Sequence, residues 1–212
     1  MRYRILGKSG LKVSVISFGA WQLGDSEYWG PDEHANADAA VHTAIDAGVN
    51  LFDTAEMYGA GESETVLGRT LGKRRTSVLI ASKVSPEHCV PGKIRAACEG
   101  SLRRLKTDYI DLYQIHWPFR TMPFEAAEEE LESLRQEGKI REMGVSNFGP
   151  RDLTDWFGHG VAVSNQIGYN IVFRAPEYQV VPTCRRHGAA VFAYMPLMQG
   201  LLSGRWMSIA DI

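Results

Sequence analysis

Short apolar runs alternate with amphipathic helical segments along almost the whole of this chain. Seven runs have the length and composition of strands, at residues 15–19, 49–53, 78–83, 109–116, 140–145, 161–166 and 189–194. Six helical segments separate them, at residues 33–47, 62–71, 91–105, 123–136, 150–157 and 176–187. Strict alternation of this kind predicts a parallel sheet whose strands are connected by crossover helices.

Two architectures fit such a sheet, an open doubly wound sheet and a closed barrel. An open sheet that binds a dinucleotide carries a GxGxxG turn after its first strand. Here the first strand is followed by Ala20 and Trp21, without that turn. Polar residues lie at the ends of at least six strands, and a barrel builds its site from all of its strand ends. The pattern therefore favours an α/β fold of the (β/α)8 TIM barrel type.

The first 14 residues predict a β-hairpin, because Tyr3–Ile5 and Lys12–Ser14 flank a glycine-containing turn. Only seven barrel strands follow, whereas a closed (β/α)8 barrel needs eight strands and about 250 residues. We therefore expect residues 1–212 to be a single barrel domain that is C-terminally incomplete and has open edges at its first and seventh strands. The natural protein is expected to continue beyond Ile212 or to be a shortened product.

Composition and charge describe an ordinary soluble globular protein. Of the 212 residues 44% are hydrophobic and 23% charged, and the net charge of -2 gives no reason to expect nucleic acid or a membrane surface as partner. No apolar run approaches the roughly 18 residues of a membrane span, and the N-terminus has no signal-peptide core. Cys89, Cys98 and Cys184 lack metal-site spacing, which predicts buried free thiols, no metal and a cytoplasmic location.

Four polar residues lie at strand ends or a few residues beyond them: Asp53, Tyr58, Lys83 and His116. Each has a structural alternative: a turn cap, a packed loop aromatic, a paired lysine and a core histidine respectively. Four such residues at consecutive strand ends are hard to explain as separate structural accidents. We therefore expect them to converge on one pocket.

This set suits proton donation to a carbonyl group. A free tyrosine has a pKa of about 10, too high for an efficient donor near neutrality. Lys83 is expected to lower the pKa of Tyr58, Asp53 to hold Lys83 charged, and His116 to orient the substrate oxygen. None of the four is a strong nucleophile in this setting, so the chemistry needs a cofactor that acts as reductant.

Later strand ends add groups suited to a nicotinamide cofactor. Asn147 and Gln166 are primary amides, which match the donor and acceptor of a carboxamide, and Tyr194 could stack on a flat ring. Asn147 has a structural alternative as a helix N-cap. Gly200 and Gly204 near Arg205 could let the backbone approach a pyrophosphate.

With these residues the chain resembles the aldo-keto reductase family, nearest the branch that includes bacterial reductases and the potassium-channel beta subunits. The resemblance covers essentially the whole chain and rests on motifs that are specific in combination and in order. They are residues 19–21, 53–59, Lys83, 114–118, 138–141, 144–148, Gln166, Tyr194, 196–197 and 200–204.

The resemblance implies NADP(H)-dependent reduction of an aldehyde or ketone, with Tyr58 as proton donor and Asp53, Lys83 and His116 completing a catalytic tetrad. The implied cofactor-binding residues are Ala20, Trp21, Asp53, Ser146, Asn147, Gln166, Tyr194, Pro196, Leu197, Gly200 and Arg205. Trp21, Trp29 and Trp117, and also Phe119, could line an apolar substrate pocket, and each could equally pack at its rim or in the core.

Two departures from the family pattern matter. Met195 stands where the family commonly has serine, which removes one polar cofactor contact. In the family, the site for the adenosine 2'-phosphate lies around the last strand and helix of the barrel. The seven strands found here do not include that region, so a preference for NADP over NAD rests on the resemblance alone.

Two other functions stay open: a nucleotide-sensing regulatory subunit, and an inactive shortened chain. The physiological substrate and the oligomeric state are left undetermined.

Overall fold

A computed structural model describes residues 1–24, 29, 34–206 and 208. The strands are β1 (Tyr3–Ile5), β2 (Lys12–Ser14), β3 (Phe18–Gly19), β4 (Leu51–Asp53), β5 (Leu79–Val84), β6 (Ile110–Ile115), β7 (Ile140–Ser146), β8 (Ser164–Gly168) and β9 (Ala190–Tyr194). The α-helices are α1 (His34–Asp46), α2 (Glu62–Leu71), α3 (Lys93–Leu105), α4 (Phe124–Gln136), α5 (Pro150–His159) and α6 (Val180–His187). Short 3-10 helices lie at Trp21–Leu23, Tyr58–Gly61, Gly72–Ser77, Pro86–His88, Ala175–Glu177 and Met198–Gly200.

The seven strands from β3 to β9 form one parallel sheet in which each strand pairs with the next one along the chain. This order confirms the predicted α/β architecture, because sequential parallel pairing with crossover helices is the topology of a (β/α) barrel. Within the described residues β3 and β9 are the two edges of the sheet. Every residue of β9 is partly exposed, as expected for an edge strand.

The hairpin of β1 and β2 closes the amino end of the curled sheet, which confirms the predicted hairpin. Leu6, Leu11 and Val13 of the hairpin pack in one buried cluster with interior side chains such as Leu112. Gly7 adopts a φ of 55°, and a Cβ there would lie 2.1 Å from the carbonyl oxygen of Val163. The turn can therefore approach the sheet this closely only with glycine.

A second and larger core lies between the outer face of the sheet and the helices. Its members include Phe52, Ile80 and Tyr113 from the strands. Phe119 also belongs to this core, because it is buried and its ring lies 5.1 Å from that of Phe124 at an angle of 73°. Of the two alternatives for Phe119, this position fits core packing rather than the lining of a substrate pocket.

Several element bounds differ from the sequence-based predictions. The predicted helix at 91–105 begins at Lys93, because Gly92 before it has a φ of 77°, which no right-handed helix contains. The segment 176–187 divides into the 3-10 turn Ala175–Glu177 and the helix Val180–His187. Glu33, the predicted start of the first helix, lies outside the described residues.

Strand pairing accounts for the two largest shifts in strand bounds. The first barrel strand shortens from residues 15–19 to Phe18–Gly19, the only two that pair with β4. The strand predicted at 161–166 is found at Ser164–Gly168, where it pairs with β9 over its whole length. Local composition does not reveal such limits, because they depend on where a neighbouring strand begins and ends.

The three cysteines are free and buried, as predicted. Burial raises the pKa of the Cys89 and Cys98 thiols to about 12, so neither is a reactive thiolate near neutral pH. The described part of the chain contains no helix that is both long and apolar enough to cross a membrane.

Candidate active site

The four predicted tetrad residues meet at the carboxyl end of the sheet. Asp53 ends β4, Lys83 is the fifth residue of β5, and His116 directly follows β6. Because these strands are parallel neighbours, their carboxyl ends share one rim. Tyr58 reaches the same place from the loop after β4, where Ala60 has a φ of 52° and turns the chain sharply. The convergence expected from the sequence is thus present in the fold.

Lys83 is the centre of the tetrad. Its ammonium has three protons, and three acceptors surround it: Asp53 Oδ2 at 2.9 Å, the Thr54 carbonyl oxygen at 2.7 Å and Tyr58 Oη at 3.2 Å. The Lys83 side chain is 1% exposed. A lysine buried this deeply is stable only when it is fully paired, and this one is.

The ionisation of Lys83 and Tyr58 follows from this geometry. Burial opposes the charge of Lys83, but Asp53 and Tyr58 more than offset it and raise the pKa of the ammonium. For Tyr58, burial raises the pKa of the phenol, and the neighbouring Lys83 lowers it by less. The expectation of a net lowering is therefore wrong for the protein alone, although the predicted direction of the Lys83 effect is correct. Tyr58 keeps its proton.

His116 faces Tyr58 edge-on, with ring centroids 5.5 Å apart. Burial, together with the charge of Lys83, lowers the pKa of His116 to about 3. The imidazole is therefore neutral near pH 7. Its Nδ1 is buried and has no hydrogen-bond partner among the described residues. This is not the environment of a satisfied core histidine, which was the structural alternative for His116.

Two buried hydroxyl groups support the loops next to the tetrad. Thr54 Oγ1 and Ser63 Oγ lie 2.9 Å apart, and Ser63 Oγ donates to the carbonyl oxygen of Ala20 at 2.6 Å. These contacts connect the loop after β3, the loop after β4 and the start of α2. They also hold the Thr54 peptide, whose carbonyl oxygen accepts a hydrogen bond from Lys83. Sequence reasoning missed both hydroxyls. Thr54 directly follows the end of β4, a signal that was available, whereas Ser63 lies in α2 and has no such signal.

The predicted amides form a second polar group beside the tetrad. Asn147 Nδ2 donates to the His116 carbonyl oxygen at 3.0 Å and to Ser146 Oγ at 3.1 Å, while its Oδ1 accepts from Tyr194 Oη at 2.8 Å. Ser146 Oγ donates to the Gln166 carbonyl oxygen at 2.9 Å. The N-cap of α5 is Gly149, so the N-cap alternative for Asn147 is wrong.

Gln114 is a buried member of this polar group that sequence reasoning did not single out. Its Nε2 donates to Gln166 Oε1 at 2.9 Å, and its Oε1 accepts from Ser164 Oγ at 3.3 Å. A signal was available in the sequence: Gln114 is a primary amide within β6, and it lies two residues before His116. In a strand this spacing places two side chains on the same face.

Aromatic rings surround the tetrad. Trp21 stacks on Tyr58 with centroids 5.5 Å apart, and Trp29 meets Trp21 edge-on at 5.4 Å. Trp117, next to His116 in the chain, is 46% exposed and Trp29 is 40% exposed. The structure therefore places Trp21 against Tyr58 and Trp29 against Trp21, whereas Trp117 is exposed and adjoins His116 only in the chain.

The loop after β9 holds the remaining candidates for cofactor binding, which are Pro196, Leu197, Gly200 and Arg205. Pro196, Leu197 and Arg205 are exposed, and Gly200 is partly exposed. Met195 and Gln199 have left-handed φ values of 53° and 52°, an unusual backbone for residues other than glycine. Asn170 Nδ2 anchors the loop by donating to the Met195 carbonyl oxygen at 3.1 Å. The Arg205 guanidinium lies 5.4 Å from the Trp206 ring.

The donor set of the site fits an organic cofactor. The described residues contain no cluster of three His, Cys, Asp or Glu side chains able to hold a metal ion. The Gln166 amide oxygen accepts from Gln114, so the NH2 group of Gln166 can still donate. Both amide protons of Asn147 are already donated, but the Asn147 amide oxygen can accept one more hydrogen bond. A donor beside an acceptor complements a carboxamide.

Similar proteins and solved structures are known for most of this chain. The model of the Aldo/keto reductase family matches residues 15–211. Aldo-keto reductase YhdN of Bacillus subtilis is 34% identical over 97% of this chain and 65% of its own length. Methylglyoxal reductase YeaE of Escherichia coli is 36% identical over 94% of this chain and 70% of its own length. The chain thus spans about two thirds of the length of these relatives.

Among solved structures, the aldo/keto reductase from Klebsiella pneumoniae in complex with NADP and acetate superposes with a TM-score of 0.83. Its sequence is 36% identical, and the match covers 94% of this chain and 70% of the other. At this level of identity and superposition, the two proteins share the fold and are similar in sequence.

Proposed function

The chain belongs to the aldo/keto reductase family, and from this premise we propose that it reduces aldehydes or ketones to alcohols with NADP(H). The observation on which the proposal depends is the set of contacts made by Lys83. One buried ammonium touches both the carboxylate that balances its charge and the phenol that gives up a proton. A purely structural lysine would need the first contact and not the second.

In the proposed reaction the carbonyl carbon would receive a hydride, which is the chemistry that a bound dihydronicotinamide would supply. Tyr58 Oη donates its proton to the carbonyl oxygen, which becomes the hydroxyl of the product. Lys83, 3.2 Å from that phenol, stabilises the phenolate that remains, and Asp53 keeps Lys83 charged. The neutral His116 imidazole directs the carbonyl oxygen by a hydrogen bond. The products are the alcohol and the oxidised cofactor.

The same residues support the choice of cofactor. The Gln166 NH2 group and the Asn147 amide oxygen would hold the carboxamide, assisted by Ser146. Trp21 and Tyr194 would border the nicotinamide ring, with Ala20 and Asp53 beside the sugar that carries it. Asp53 Oδ1 is buried without a partner in the described residues, which leaves an acceptor for a hydroxyl group. Pro196, Leu197, Gly200 and Arg205 would lie along the pyrophosphate.

We infer the substrate class from the aromatic border and from one relative. Trp21, Trp29 and Trp117 would form an apolar entrance suited to small or aromatic carbonyl compounds. The relative from Escherichia coli is named a methylglyoxal reductase, so methylglyoxal is a natural first substrate to test.

We also propose that residues 1–212 act as a single domain in a reducing cytoplasm. Three free buried thiols are usual in that compartment and unusual in secreted proteins. The net charge of -2 supports small molecules rather than nucleic acid as partners.

The test is NADPH oxidation by the purified chain, followed by absorbance, with methylglyoxal and 4-nitrobenzaldehyde as separate substrates. We expect oxidation that depends on both protein and substrate, with the alcohol formed in equal amount. A parallel assay with NADH measures the cofactor preference. Saturating NADPH binding without turnover of either substrate would contradict the proposal and favour a nucleotide-sensing role.

A further inference from the structure

Beside the proposed nicotinamide site, a buried row of polar side chains runs beneath Gln166. Gln114 is 0% exposed and lies between Gln166 on β8 and Ser164 on the same strand. In the sheet register Gln114 is paired with Lys83 on one side and with Gly144 on the other. It therefore connects the strand of the tetrad lysine to the strand that offers the amide.

Space for the Gln114 side chain depends on Gly144. A Cβ at position 144 would lie 2.7 Å from Ser164 Oγ and 3.0 Å from Gln114 Cγ, both closer than side chains normally pack. Gly144 does not need a left-handed backbone. The missing side chain is what lets Gln114 cross the interior of the sheet and reach Gln166.

We propose that Gln114 is a positioning residue that sets which end of the Gln166 amide faces the cofactor. Gln114 Nε2 donates to Gln166 Oε1, so the Gln166 oxygen is turned inward and its NH2 group faces the site. Ser164 Oγ fixes Gln114 in turn by donating to its amide oxygen. The NH2 group of Gln166 then donates to the carbonyl oxygen of the cofactor's carboxamide. In the opposite orientation, the Gln166 oxygen would accept from the NH2 group of that carboxamide. The proposal rests on the function proposed above.

Three ligands separate orientation from general cofactor affinity. NADP+ carries the full carboxamide, and its 3-acetylpyridine analogue keeps the carbonyl oxygen but replaces the NH2 group by a methyl group. The third ligand, 2'-phospho-ADP-ribose, lacks the nicotinamide ring. Dissociation constants for all three are measured by tryptophan fluorescence for the native chain, Gln114→Met, Ser164→Ala and the surface control Gln136→Met.

Loss of one buried, oriented hydrogen bond is expected to weaken binding about fivefold to tenfold in Gln114→Met. The loss should be the same for NADP+ and for the acetyl analogue, and absent for 2'-phospho-ADP-ribose. Ser164→Ala should show a smaller loss with the same ligand pattern, and it serves as the test if circular dichroism shows Gln114→Met to be unfolded. Gln136→Met, on the exposed end of α4, should bind like the native chain.

Other outcomes contradict the proposal in distinct ways. An acetyl analogue whose binding is unaffected in Gln114→Met would mean that Gln166 presents its oxygen. Equal weakening of all three ligands would mean general damage to the fold, and no weakening would mean that Gln114 merely fills space. If the native chain bound none of the ligands, the proposed function itself would fail, and the inference with it.

Discussion

The hydroxyl of Tyr58 lies 3.2 Å from the ammonium nitrogen of Lys83, inside a site where that lysine is 1% exposed. Two opposing effects act on the pKa of Tyr58 at this contact. Burial holds the phenol in its protonated form, and the ammonium stabilises the phenolate that forms once the proton has left. A proton donor needs both a proton to give and a stabilised conjugate base.

Replacing Tyr58 by phenylalanine should remove the donor and keep the ring. We expect turnover of 4-nitrobenzaldehyde to fall about 10²- to 10⁴-fold, the usual contribution of general acid catalysis, while NADPH affinity stays within a few-fold. Steady-state kinetics and fluorescence titration measure the two effects. Tyr178→Phe, at an exposed tyrosine, is the matched control and should retain full turnover. Unchanged turnover in Tyr58→Phe would exclude Tyr58 as the donor.

Breaking the buried ion pair of Lys83 and Asp53 should cost stability as well as activity. Lys83→Met leaves the Asp53 carboxylate without its cation, a loss of about 3–5 kcal/mol in the free energy of unfolding. The double variant Lys83→Met/Asp53→Asn should recover part of this stability, because the buried charge is gone, and should remain inactive. Urea denaturation measures both.

The exposed pair of Arg74 and Asp46, 2.7 Å apart, is the control for this experiment. Arg74→Met should change the free energy of unfolding by less than about 1 kcal/mol, since both side chains are solvated. A double variant no more stable than Lys83→Met would show that packing rather than charge accounts for the loss.

His116 should make the protein less stable in acid. Its pKa is about 3 in the folded chain against 6.5 for a free side chain, so protons favour the unfolded state. The stabilisation is complete above pH 6.5 and is lost as the pH falls toward 3. When the pH is lowered from 7.5 to 5, the free energy of unfolding falls for both proteins. We expect it to fall by about 2 kcal/mol less in His116→Asn than in the native chain.

His159→Asn is the control, because it removes a partly exposed histidine of α5 and so separates the loss of any histidine from the loss of a buried one. The pH–rate profile should likewise show no ionisation of His116 between pH 5 and 8. Parallel acid dependence in the native chain and His116→Asn would mean that the folded imidazole titrates normally.

Asp111 should matter for folding and not for chemistry. It is completely buried near the amino end of β6, where it accepts from Arg75 at 2.9 Å, Arg141 at 2.8 Å and the Ile80 amide at 2.9 Å. Asp111→Ala should lower the free energy of unfolding by about 3–5 kcal/mol, because Arg75 loses its buried partner.

The activity of the folded fraction of Asp111→Ala should remain native-like, since the amino end of a parallel barrel supports stability and the carboxyl end carries the site. Asp46→Ala, at an exposed carboxylate, should have little effect on either quantity. A large fall in turnover by a fully folded Asp111→Ala would show that the two ends are coupled.

The sequence alone determined the order and type of nearly every element, because the apolar periods of strands and helices are local properties. It also determined the hairpin and the four tetrad positions, since polar residues at consecutive strand ends stand out from apolar runs. Element limits such as Lys93 and Ser164 were less accessible, because they depend on a glycine conformation and on the length of a neighbouring strand.

Only the tertiary structure decided how the polar groups are connected. The three acceptors of Lys83 and the donation from Gln114 to Gln166 join residues 25 or more positions apart in sequence. It also decided the net pKa shift of Tyr58, where burial outweighs the neighbouring charge. Desolvation and hydrogen-bond direction depend on what surrounds a side chain from every side, and that environment is assembled only when distant strands come together.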